Sequence, residues 1–169
     1  KLSQLKDIPI EERTFCVESE FNNRNDGMNP MLETYEVPRG TGVLDNNIKL
    51  YDTGAIYAAT ADGECVFGEV FTTDGRITAL DLVVLEDDRT FFPQYNLSPV
   101  VQTTLMKEYP QIADLFAPVA AKLTNDVLLD LNARIDVNGE EPGDVAYDWL
   151  KQEGFITDPA RGRHDSMRT

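Results

Sequence analysis

The chain has 169 residues, 41% of them hydrophobic, enough for one domain or two small lobes with a buried core. Its formal net charge is −15 with no run of Lys or Arg, so nucleic-acid and peripheral membrane binding are set aside: such a surface repels phosphate backbones and anionic lipid. No apolar run reaches the roughly 20 residues of a membrane helix. No basic-then-apolar leader stands at Lys1, as is expected of a mature or trimmed chain too.

Residues 1–13 read as a short helical approach segment ended by Pro9. Residues 14–17 form a short strand, and 20–25 lead to Asp26-Gly27, a turn dipeptide. Met28, Met31, Leu32 and Tyr35 have the i, i+3, i+4, i+7 spacing of an amphipathic helix over 28–35. After a loop at 38–42, residues 52–61 read as a helix, with Asp52 or Thr53 as its cap and Asp62-Gly63 as its stop. The apolar runs 66–71 and 80–85, bounded by turn residues, are expected to be buried strands. From Ser98 the character changes, and 100–109, 111–121, 125–135 and 142–152 all carry helical spacing. Thr124 or Asn125 is the expected N-cap of the third of these, and Gly154 the residue that follows the last. Beyond Ile156 no periodicity remains, and a frayed tail is expected.

The catalytic inventory is poor. The single histidine, His164, lies in the polar tail, so a Ser–His–Asp relay has no base and no metal-ligand spacing exists. Asp87-Asp88 and Glu140-Glu141 read as solvated turn acids. No glycine-rich phosphate loop is present, and neither an enzymatic reaction nor a cofactor is expected. Cys16 and Cys65 stand near the starts of two apolar segments. From the residues alone, a disulfide and a pair of buried inert thiols are equally open.

Several motifs follow one another in a recognisable order. They are Cys16-Val17-Glu18-Ser19-Glu20-Phe21 with Arg24-Asn25-Asp26-Gly27, then Phe71-Thr72-Thr73-Asp74-Gly75-Arg76-Ile77, then Leu82-Val83-Val84-Leu85-Glu86-Asp87-Asp88. Phe91-Phe92-Pro93-Gln94-Tyr95-Asn96, Tyr109-Pro110-Gln111-Ile112-Ala113, Leu123-Thr124 and Val145-Ala146-Tyr147-Asp148-Trp149-Leu150 complete the series. Together they resemble the substrate-binding proteins that deliver glycine betaine, carnitine and choline to ABC importers.

The resemblance implies an α/β fold of the type II periplasmic-binding-protein class. One lobe would hold a short mixed sheet flanked by helices, joined to the C-terminal helices of the other lobe. Residues 1–93 would be the α/β ligand-binding lobe, 94–156 the helical part of the other, and 157–169 the tail. The strands that open the first lobe in that family have no counterpart here, as in a trimmed or naturally shortened form, and the later helices are expected to find cover by oligomerising or by packing on the middle lobe.

It also implies a ligand set. Tyr95 would form one wall of an aromatic cage for a quaternary ammonium, which cannot donate a hydrogen bond and is held by π faces. Phe71 would take a place often held by tyrosine, with Thr72 in the turn beside it, and Arg24 would grip the ligand carboxylate with its planar fork. The implied partners are a small quaternary-ammonium solute and a membrane permease, with a homodimer of the short chain as a further expectation. The implied location is extracytoplasmic, which favours a Cys16–Cys65 bridge closing a loop of about 50 residues and contributing about 4 kcal/mol. The rival reading is a shortened interaction module that binds no solute.

Overall fold

A computed structural model describes residues 1–157, which divide into two compact units. The first comprises Lys1–Thr72 and Arg76–Ser98; the second comprises Thr73–Gly75 and the chain from Pro99 onward.

The first unit is organised by β1 (Phe15–Val17), a run of β-prone residues buried along its whole length. It lies between β2 (Ile48–Leu50) and β3 (Phe67–Gly68), and both neighbours run parallel to it. Phe15 pairs with Ile48 on one side and Phe67 on the other, and the two Phe rings stack at 5.0 Å. Parallel strands need crossovers. The first runs through α1 (Ser19–Asn23) and α2 (Met28–Thr34), and the second is α3 (Thr53–Ala61).

Strand alternation sorts the core into two layers. Phe15 and Val17 join Phe21, Met28, Met31, Leu32 and Tyr35 in one cluster, while Cys16 joins Ile56, Ala59 and Cys65 in the other. Cys16 and Cys65 are joined by a disulfide with their Cα atoms 5.7 Å apart, tying the central strand to the segment that enters β3.

The fold class agrees with the sequence reading, but its sheet is parallel throughout, not mixed. Three local expectations are corrected. Residues 80–85 are not a strand: α4 (Arg76–Ala79) precedes them, Asp81 has φ 54°, and the Leu82 amide turns back to the Ile77 carbonyl at 2.9 Å. That reversal breaks an extended course. The strand expected over 66–71 narrows to Phe67–Gly68. Conversely β2 was not anticipated, because three half-exposed residues leave almost no periodic signal. The approach segment is two 3-10 helices, Leu2–Asp7 and Ile10–Glu12.

The second unit is helical: α5 (Thr103–Glu108), α6 (Ile112–Lys122), α7 (Asn125–Asp136) and α8 (Pro142–Gln152). The Thr124 side chain accepts the Val127 amide and caps α7, while Gly154 follows α8 at φ 78°. Arg134 on α7 binds Glu140 at 2.6 Å and Asp148 on α8 at 3.2 Å, so the two helices are tied across their turn. Thr73–Gly75 runs against α7, where Asn132 donates to the Thr73 carbonyl at 2.7 Å. A side chain on Gly75 would collide with the Ala133 backbone. Of the expected tail, residues 158–169 lie outside the described residues.

Candidate functional site

In a parallel sheet the carboxyl ends of the strands point to one edge, where loops leave and ligands most often sit. At that edge β1 ends in Glu18 and enters α1, β2 ends in Tyr51 and Asp52 and enters α3, and β3 ends in Glu69 ahead of Phe71 and Thr72.

Arg24 is the C-cap of α1. The turn that follows depends on Gly27, because a Cβ there would run into the Phe21 carbonyl oxygen. The guanidinium lies 5.9 Å from the Phe21 ring centre. Its Nη1 is 3.2 Å from Glu20 and its Nε 2.7 Å from Asp26. The Nε contact is close but poorly aligned: this shielded nitrogen makes no hydrogen bond, the one such buried side-chain atom among the described residues. The Glu20 hydrogen bond holds the Arg24 pKa above its ordinary value against a burial penalty, with Asp26 and Tyr95 adding to it. The segment that carries Tyr95 reaches the Arg24 turn, since Phe92 stacks on the Phe21 ring beside the guanidinium.

Phe71 and Thr72 are both exposed. Phe71 shows 60% of its surface, and its amide donates to the hydroxyl of buried Tyr57 at 3.0 Å, so its backbone is fixed while its ring is free. It is not a core residue. Arg76 stacks over the Tyr57 ring at 4.4 Å.

Two groups escaped the sequence reading. Glu69 accepts the Glu18 amide at 2.8 Å, and burial pushes its pKa up, with Glu18 and Glu20 reinforcing the shift and Arg24 opposing it. Asp87, read as a solvated turn acid, instead accepts the hydroxyl of buried Tyr35 and the amides of Phe91 at 3.0 Å and Phe92 at 2.8 Å. No local pattern announces a partner 52 residues away.

The cluster holds an arginine, acids and exposed aromatic faces, without a nucleophile–base pair. Among the described residues no group of three His, Cys, Asp or Glu could hold a metal, and no helix is long and apolar enough to cross a membrane.

Residues 1–152 match the family model for the substrate binding domain of the ABC-type glycine betaine transport system, and the chain belongs to that family. The family is one of transport proteins, not enzymes. A glycine-betaine-binding protein of Pseudomonas aeruginosa is 36% identical over 159 residues, covering 94% of this chain and 50% of that protein. The chain therefore spans about half the length of that relative. Among solved structures, a glycine betaine/carnitine/choline ABC transporter protein superposes with a TM-score of 0.75 at 28% identity, covering 89% of this chain and 53% of the other. The apo YehZ of Escherichia coli superposes at 0.69 with 30% identity, covering 92% and 57%.

Proposed function

We propose that this chain contributes the ligand-gripping lobe of an extracytoplasmic solute-binding protein that passes quaternary-ammonium osmoprotectants to an ABC permease. Glycine betaine, carnitine and choline are the candidate solutes. The observation that supports this reading is the contact of the 91–95 segment with the Arg24 turn, Phe92 stacking on Phe21 at 6.0 Å beside the guanidinium, within a chain that matches the family over residues 1–152. The ammonium has no N–H to donate and is attracted to the exposed π faces of Tyr95 and Phe71. A carboxylate on the same solute meets the guanidinium, whose shielded Nε lacks an aligned acceptor. Thr72, in the turn after Phe71, is proposed as a hydrogen-bonding neighbour.

The domain reading proposed with it assigns residues 1–93 to the ligand-binding lobe and 94–156 to the helical part of the second. A homodimer is proposed as cover for the apolar helix faces of the second unit.

Calorimetric titration of the intact gene product with glycine betaine, carnitine and choline tests the function. Saturable binding of at least one is expected. Silence towards all three, in protein shown to be folded, overturns the solute-binding reading in favour of an interaction module.

A further inference from the structure

Tyr95 is 73% exposed and lies in a stretch without helix or strand, so neither burial nor a sheet ladder fixes it. The segment is fixed upstream instead. Asp87 is its anchor, receiving the Tyr35 hydroxyl on Oδ1, the Phe91 amide on the same oxygen and the Phe92 amide on Oδ2. The Tyr35 ring is fully buried at the end of α2, so the anchor point belongs to the core. Arg89 closes the turn from outside, with its amide 3.2 Å from the Tyr35 hydroxyl and its guanidinium 2.8 Å from Glu36.

The Phe92 ring then stacks on Phe21 at 6.0 Å, with Phe91 edge-on to Phe92 at 5.0 Å. Phe21 and Arg24 share one turn of chain, and the Arg24 guanidinium rests 5.9 Å from the Phe21 ring. One continuous series of contacts therefore runs from Tyr35 through Asp87, Phe92 and Phe21 to Arg24. Tyr95 follows Phe92 by three residues, separated from it by Pro93, whose ring restricts the route the chain can take.

We propose that Tyr35 and Asp87 are positioning residues for the solute site: their hydrogen bond sets where the 91–95 segment leaves the core, and so sets the position of Tyr95, three residues beyond Phe92. This rests on the solute-binding reading above and adds residues outside the ligand set. Tyr35 and Asp87 touch no solute. Their effect on affinity passes through Tyr95.

The test is a double-mutant cycle in the intact gene product, titrated with glycine betaine and with choline. Tyr35→Phe removes only the hydroxyl and keeps the buried ring. It should weaken both solutes about three- to thirtyfold, the worth of one misplaced aromatic face. In a Tyr95→Ala background the same substitution should cost nothing further, because the group it positions is gone. A merely destabilising change would not show that dependence. Asp87→Asn, which keeps the shape but loses one acceptor, should behave alike. Melting curves choose a temperature at which every variant is folded. Unchanged affinity in Tyr35→Phe, or losses that add to those of Tyr95→Ala, would overturn the positioning role while leaving solute binding intact. A parent protein that binds neither solute would overturn both readings.

Discussion

Arg24 already faces two carboxylates of its own chain, Glu20 and Asp26, and any ligand carboxylate competes with them. Both acids are largely exposed, and exposed ion pairs hold only weakly. Arg24→Ala in the intact gene product should therefore weaken glycine betaine by about 1.5–3 kcal/mol, the worth of a charge-assisted hydrogen bond. Choline, lacking the carboxylate, should lose far less, and equal losses by calorimetry would make Arg24 a structural residue. At the Tyr35–Asp87 pair, burial first and the Asp87 hydrogen bond second push Tyr35 from 10.0 up to about 12. Burial would raise Asp87, but the Tyr35 hydroxyl and two amides outweigh it and hold the carboxyl below its ordinary range. The folded state thus keeps the Tyr35 proton longer than the unfolded chain does. Its contribution is whole below pH 10 and is lost as pH rises through about 12. Asp87 acts in the opposite direction, its contribution being lost as pH falls through its lowered folded value. Melting temperature against pH should fall at the alkaline end for the parent, and less steeply for Tyr35→Phe. Arg24 and Tyr95 stand in local motifs, which is why a sequence reading can propose them. The anchor was not, since Tyr35 reads as one position of an amphipathic stripe and Asp87 as half of an acidic turn.

Among the elements, the helices with a clear 3.6 period and a chemical stop were readable: α8 opens on Pro142, and Thr124 caps α7. Strands were harder. An isolated apolar run such as 80–85 looks like a strand, yet Asp81 at φ 54° takes it out of any ladder and leaves Val83 84% exposed. Ile48-Lys49-Leu50 has no pattern of its own and becomes β2 only because β1 offers it a parallel partner. Two glycines give a paired expectation. Gly75→Ala should destabilise the second unit by about 1–3 kcal/mol, because the added methyl meets the α7 backbone at Ala133. Gly143→Ala, in α8 with open space around it, should stabilise by about 0.4–1 kcal/mol through a stiffer unfolded chain. Urea unfolding of both variants beside the parent checks the signs, and two losses of equal size would sink the packing account of Gly75.

Across the whole molecule, charge and apolar exposure oppose one another. The helical unit leaves Leu115 68% and Phe116 43% exposed, a face that gains by association. The net charge of −15 resists it. Sedimentation over a range of concentrations should show self-association that strengthens with salt, as screening removes the repulsion; a monomer throughout would end the homodimer proposal. Reduction of Cys16–Cys65 should lower the melting temperature, the bridge contributing about 4 kcal/mol in the loop-entropy account. The same bridge bears on how the chain finds its fold. The strand at the middle of the sheet, β1, is the first of the three in sequence, and its partners begin 33 and 52 residues later. No hairpin can form early, so the sheet must wait for two long closures, the kind of topology that folds slowly. A bridge spanning 49 residues from the centre of β1 to the approach of β3 performs the longer closure in advance. Unfolded chains with the bridge intact should therefore return to the native state faster than reduced ones, and a chain made in sequence order holds its central strand open on one side until β3 is clear.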